Sequence, residues 1–185
     1  MKIQRHKMSI VMLVVVFVLP VVLAKLALDQ DWFDKGSTNR GQLLQPTIDA
    51  TALLQEAEKK WHFVYVLPAE CQQECKNAIY AIGQVKAAVG RESSRVNAVF
   101  LATEHSDPDS VALLENSDGL ELLHKDANDV NKVFKHADVN AIFIADTLNN
   151  LVLSYPSVAN KDQAIMDSRD MLADLRKLLK LSRIG

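Results

Sequence analysis

The stretch Trp61-His62-Phe63-Val64-Tyr65-Val66-Leu67-Pro68-Ala69-Glu70-Cys71-Gln72-Gln73-Glu74-Cys75 decides how the rest of the chain is read. Its first half is apolar, aromatic and β-branched without alternation, the pattern of a strand buried on both faces. Past Cys75, the run from Lys76 to Val89 places Ala78, Ile79, Ile82, Val85 and Val89 along one helical face, and Gly90 is positioned as its stop. Cys71 and Cys75, the only two cysteines of the chain, therefore stand at a strand-to-helix junction. Val96 to Thr103 reads as the next strand. Strand, helix and strand with short links imply a right-handed crossover and a parallel pair.

Working outward, the loop from Glu104 to Asp109 leads through a weakly patterned region to a short helix around Asp129 to Phe134. Val139 to Ala145 is an apolar strand, and Leu151 to Tyr155 returns as its antiparallel partner after a turn in which Asn149 and Asn150 suit positive φ. A last helix from about Lys161 puts Ile165, Leu172, Leu175 and Leu179 at helical spacing. In front of the first core strand, Thr47 to Lys60 has helical composition, with Leu53, Leu54 and Ala57 on one side. This order predicts an α/β, thioredoxin-like domain: a mixed sheet flanked by helices on both faces.

The N-terminal end has a different character. Met8 to Ala24 is apolar apart from Ser9 and Pro20, with Lys2, Arg5 and Lys7 before it and Asp29, Asp31 and Asp34 after it. That length and charge order predict one uncleaved transmembrane helix with its N-terminus in the cytoplasm. Residues 1–28 are then basic leader and membrane anchor, 29–46 a polar tether with Gly36 and Gly41, and 47–185 an exported domain. Val22-Leu23-Ala24 offers an alternative cleavage site. A formal charge of −2, with no basic stripe interleaved with aromatics, disfavours nucleic acid as a partner. No Ser-His-Asp order, glycine-rich phosphate loop or HExxH sequence supports a hydrolase or nucleotide reading.

Outside the cytoplasm a close cysteine pair oxidises unless a reductant or a metal intervenes. As a brace, a disulfide closing so short a loop removes little chain entropy. A thiol at a helix start faces N–H groups with no internal partner, which favours its anion, and Cys71 is expected to be the more acidic of the two. Two thiolates are soft donors, and with one imidazole they form a set suited to Cu(I) that also accommodates Cu(II). Of the five histidines, His136 is the one such a fold would bring near, because the loop entering the strand 139–145 faces the start of the cysteine-bearing helix. His136 as an ordinary loop residue is the alternative. His62 reads as a packed side chain, and Glu104, His105, Asp107 and Asp109 as a solvated loop.

Strand, Cys71-x-x-x-Cys75, helix, strand, Asp107-Pro108, and then His136 ahead of Asp146 at the hairpin turn resemble the Sco proteins, membrane-anchored factors of cytochrome c oxidase assembly. The segments Gly41 to Pro46 and Asp174 to Lys180 are similar to a divergent single-span Sco-like group. The resemblance implies copper bound by Cys71, Cys75 and His136, and an oxidase subunit or another assembly factor as partner. It also implies a single-pass place in the cell inner membrane with the C-terminal domain on the periplasmic side. Gln72 and Lys76 stand where Sco proteins usually carry prolines, and Thr147 where a turn glycine is common. Two further readings stay open: a thiol-disulfide oxidoreductase in which Cys71 attacks and Cys75 resolves, and a non-catalytic docking module.

Overall fold

The computed structural model describes residues 2–29 and 39–182, in two units divided between Thr38 and Asn39. In the first unit the expected span lies within α1 (Lys2–Asp29), which contains Pro20 and whose described side chains, 12–26, are all exposed. Among the described residues no helix is long and apolar enough to cross a membrane.

The second unit is built around β2 (Trp61–Val66), every residue of which is buried. On one side β2 pairs in parallel with β3 (Val96–Ala102) after α3 (Gln73–Ala88), as the crossover rule predicts. On the other side it pairs antiparallel with β5 (Ile142–Ala145), which turns through Asn149, at φ 67°, into β6 (Asn150–Tyr155). Two further strands, β1 (Gln42–Asp49) and β4 (Glu121–His124), complete the order β1-β6-β5-β2-β3-β4.

Alternation along β2 sends Phe63 and Tyr65 to one face and Val64 and Val66 to the other. The first face is covered by α3 and by α6 (Lys161–Leu181) through Met171, Leu175 and Leu179. Ile165, placed on that stripe from spacing, is instead 37% exposed. The second face is covered by α2 (Thr51–Leu54) and α5 (Ala127–Val133). Between β3 and β4 runs α4 (Pro108–Glu115), a helix in the region that showed only weak pattern. Its start is set by Asp107, whose carboxylate accepts from the Ser110 N–H at 2.9 Å and the Ser110 hydroxyl at 2.6 Å.

The front of the domain departs from expectation. Residues 30–38 of the expected tether lie outside the described residues, and from Gln42 that stretch is strand β1, paired with β6. The helix expected over 47–60 shrinks to Thr51–Leu54, because Thr47 and Ile48 extend as strand and Asp49 turns the chain by accepting from the Thr51 N–H at 2.9 Å. One turn suffices there, since Leu53 and Leu54 are both fully buried, each contributing about 2 kcal/mol.

A single buried carboxylate ties β1 into the domain. Asp174 on α6 has no exposed surface, and its Oδ2 accepts from the Arg40 N–H at 2.7 Å, the Gly41 N–H at 2.9 Å and the Tyr155 hydroxyl at 2.9 Å. Gly41 has to be glycine: an added Cβ would lie 2.4 Å from the Tyr155 ring. Burial first, and then the carboxylate beside it, push the Tyr155 hydroxyl pKa far above its ordinary value, so the hydroxyl stays a donor. Asp174→Ala strands those donors without a partner and is expected to cost about 3 kcal/mol in urea unfolding, against about 1 kcal/mol for Tyr155→Phe. Equal, small losses would show that the carboxylate does not hold the strand.

His62 is 1% exposed, and neither ring nitrogen has a hydrogen-bond partner among the described residues. Burial holds its pKa below the usual histidine value, opposed by the backbone and charge of Glu58 and aided by Lys60. The unfolded chain therefore takes the proton first, and stability from this group is present above about pH 6.5 and is lost as pH falls below it. Unfolding measured at pH 7 and pH 5 should show a smaller loss for His62→Leu than for the parent chain; parallel losses would remove His62 as the cause.

Candidate functional site

The chain leaving β2 is fixed before it reaches the cysteines. Leu67 N–H donates to the Leu101 carbonyl at 2.9 Å, the Ser106 hydroxyl to the Leu67 carbonyl at 2.8 Å, and Asp107 N–H to the Pro68 carbonyl at 2.9 Å. On the helical side, buried Asn77 donates to the carbonyls of Val158 and Ala159 at 2.9 Å each and accepts from Gln73 Nε2 at 2.8 Å. Asn77 shares a stripe with Ala81 and Val85, and a polar residue on that apolar stripe was the one sequence signal for its anchoring role.

Between these anchors Cys71 and Cys75 are joined as a disulfide, their Cα atoms 5.1 Å apart. Gln72 is the N-cap of α3 and makes no side-chain cap, so Cys75 lies in the first helical turn and Cys71 just ahead of it. The sulfurs are not equivalent. Cys75 is 2% exposed within the core that includes Tyr65 and Ala78, whereas Cys71 is half-buried and packs only against the edge of that core.

Each sulfur borders a different depression. Cys75 adjoins a polar recess of about 320 Å³ shared with Tyr65, Glu70, Glu74, Asn140 and Ser157. Cys71 opens on a groove of about 440 Å³ between α3 and α4, with Tyr80, Leu113, Asp107 and Asp109 on its walls. Burial raises the Tyr65 hydroxyl to about 12, opposed by its contact with Ser157, so it remains protonated through the physiological range. The Asp107 carboxyl is held below its usual value, chiefly by the Ser110 hydroxyl and N–H and further by the Cys71 backbone N–H.

His136 sits exposed on the turn that follows α5 and borders neither depression. Among the described residues no three His, Cys, Asp or Glu side chains are grouped to hold a metal ion. Thus the structure brings Cys71 and Cys75 together and does not assemble His136 with them in this oxidised form. What the same loop does bring is Asn140, which lines the Cys75 recess, and Asp138, whose charge raises the Tyr65 pKa further. Both stand nearer β5 than His136, and nearness to the strand was the signal available for them. Elsewhere, Glu104 in the loop before α4 accepts from the Ala127 N–H at 3.3 Å.

Chemically, a thiolate can reach the Cys71 sulfur from the groove and displace Cys75, and reduction then leaves two soft donors one helical turn apart. With the disulfide reduced, iodoacetamide should alkylate Cys71 at least about tenfold faster than Cys75, read by peptide mass spectrometry. Equal rates would mean that the burial difference does not control access.

The model of the family described as transmembrane-like, thioredoxin-like, C-terminal domain matches residues 61–182. The solution structure of apo Sco1 from Thermus thermophilus is similar at 16% identity and a TM-score of 0.56, over 78% of this chain and 99% of that one. A protein of Chlorobium tepidum named as a thiol:disulfide interchange protein, DsbE, is similar at 10% identity and a TM-score of 0.50, over 74% of this chain and 96% of that one. Copper-bound ScoI of Arabidopsis thaliana is similar at 12% identity and a TM-score of 0.49, over 74% and 98%. At such identities the likeness is one of fold. No curated protein matches the chain.

Proposed function

The chain belongs to the family of transmembrane-like, thioredoxin-like C-terminal domains, and from that premise we propose that it is a membrane-anchored, Sco-like factor exchanging electrons with cysteines of another protein. The observation that carries this reading is the unequal exposure of the two bonded sulfurs, Cys75 at 2% and Cys71 half-buried and open to a groove. In the reduced chain the Cys71 thiolate attacks a client disulfide and one client sulfur leaves as a thiol. Cys75 then attacks the Cys71 sulfur of the mixed disulfide, releases the second client thiol and reforms the Cys71–Cys75 bond. Two electrons and two protons pass to the client. The Cα separation of 5.1 Å lets Cys75 reach its partner without backbone rearrangement.

The apolar stretch 8–24, basic before and acidic after, supports an anchor that holds the domain on the periplasmic side of an inner membrane. The Sco resemblance supports a subunit of cytochrome c oxidase, or another of its assembly factors, as the client. A second reading, copper carried as cargo, is favoured by the donor chemistry: once reduced, Cys71 and Cys75 offer Cu(I) two thiolates. His136 is the proposed third ligand and would have to be delivered by movement of the loop 134–141.

Mixed with hydroxyethyl disulfide, the pre-reduced chain is expected to reform its own disulfide in a single turnover. Cys75→Ser should stop at the mixed disulfide seen by intact mass, and Cys71→Ser should lose at least about a hundredfold in rate. Full rate in Cys71→Ser would overturn the reading. In competition with a Cu(I) chelator, His136→Ala should weaken binding by at least about tenfold, the least that losing even a residue that supports a ligand costs, while thiol exchange does not use that residue. Cu(I) held no tighter than by the double serine variant would end the copper reading.

A further inference from the structure

The two depressions beside the disulfide differ in a way that bears on what the protein acts upon. The recess at Cys75 is polar, and its sulfur is sealed. The groove at Cys71 combines the accessible sulfur with Ile79, Tyr80 and Leu113, of which Tyr80 is 52% and Leu113 59% exposed. Large exposed apolar side chains beside a reactive atom mark a binding surface more than a resting one. Tyr80 is also a wall of a second, smaller depression between α3 and α6 that includes Ile165 and Leu172. An apolar track thus runs from the Cys71 sulfur along α3. At its head stand two carboxylates, Asp109, exposed in the first turn of α4, and Asp107, kept ionised by Ser110 and by the helix start it caps; Lys76 is the one cation on these walls.

We propose that the groove between α3 and α4 is the docking site for an extended client segment in which the reactive cysteine is flanked by a large apolar side chain and by lysine or arginine. This rests on the thiol-exchange reading and names its substrate class. The apolar side chain packs between Tyr80 and Leu113, the cation faces Asp109 and Asp107, and the client sulfur comes to Cys71 on the side away from Cys75. That placement is the one exchange requires, because in the resolving step the attacking Cys75, the Cys71 sulfur and the departing client sulfur lie in line. Burial of one leucine against Tyr80 and Leu113 is enough for a tenfold preference, and the carboxylates add selection by charge.

Two synthetic peptides, each with an internal disulfide, test this against the reduced full-length chain: one with leucine and two lysines beside the cysteines, one with serine and two glutamates. The parent chain should reduce the leucine-lysine peptide about tenfold or more faster. The double variant Tyr80→Ala, Leu113→Ala should lose most of that ratio, and Asp109→Lys should move it toward the acidic peptide. Leu148→Ala, an exposed apolar residue of the hairpin turn outside the groove, should keep the parent ratio. Hydroxyethyl disulfide, too small to use the groove, separates the two claims. If it is reduced while the peptides are treated alike, or if the ratio survives in the double variant, the groove assignment is overturned. If neither it nor the peptides are reduced, the exchange reading falls and the groove with it.

Discussion

The rest of the structure depends on one constraint: β2 is buried on both faces and hydrogen-bonded on both edges, in parallel with β3 and antiparallel to β5. A strand held in that way has no freedom to slide, because a one-residue slip would exchange Phe63 and Tyr65 for Val64 and Val66 across the sheet. Its C-terminal end therefore emerges at a fixed point. The hydrogen bonds of Leu67, Ser106 and Asp107 extend that fixity to Pro68, and Asn77 anchors the helix on the far side. The cysteines occupy the short span between two rigid supports.

From that placement follows the inequality of the sulfurs. Cys75, in the first turn of α3, turns toward the core that β2 begins, while Cys71, before the helix, stays at its margin. A disulfide serving only as a brace needs no such difference. An exchange pair does, since one sulfur must be reachable and the other must be protected from the client while it waits to resolve the mixed disulfide. Tyr65, raised to about 12 mainly by burial, keeps a protonated hydroxyl at the recess on the protected side. Asp174 on α6 gathers Arg40, Gly41 and Tyr155, so that β1 is locked to the domain and not merely laid along it.

Legibility in the sequence followed locality. The β2-α3-β3 unit and the β5-β6 hairpin were readable because each is announced by its own residues: continuous apolar strands, a periodic helix face, Asn149 at the turn. β1 was not, because an edge strand with most of its side chains exposed carries no alternation, and its few apolar residues flank Pro46. Nothing local to α6 marks Asp174 as buried; only the return of Arg40 and Gly41, distant in sequence, makes it a core residue. The cysteine pair was legible as chemistry, and its state as a disulfide was among the outcomes expected outside the cytoplasm. His136 was chosen from the order of elements, which locates a loop but not the residue of that loop that approaches. In the disulfide form Asn140 is the residue of that loop that lines the Cys75 recess.

The central claim is that the Cys71–Cys75 bond is a working couple and not a permanent staple. Its midpoint potential measures this most directly, obtained by equilibrating the full-length chain in graded dithiothreitol buffers and reading the reduced fraction by quenched alkylation. The account predicts a reversible two-electron transition above about −300 mV, within reach of biological thiols. A bond that stays oxidised well below that potential, or whose reduction unfolds the domain, would contradict it.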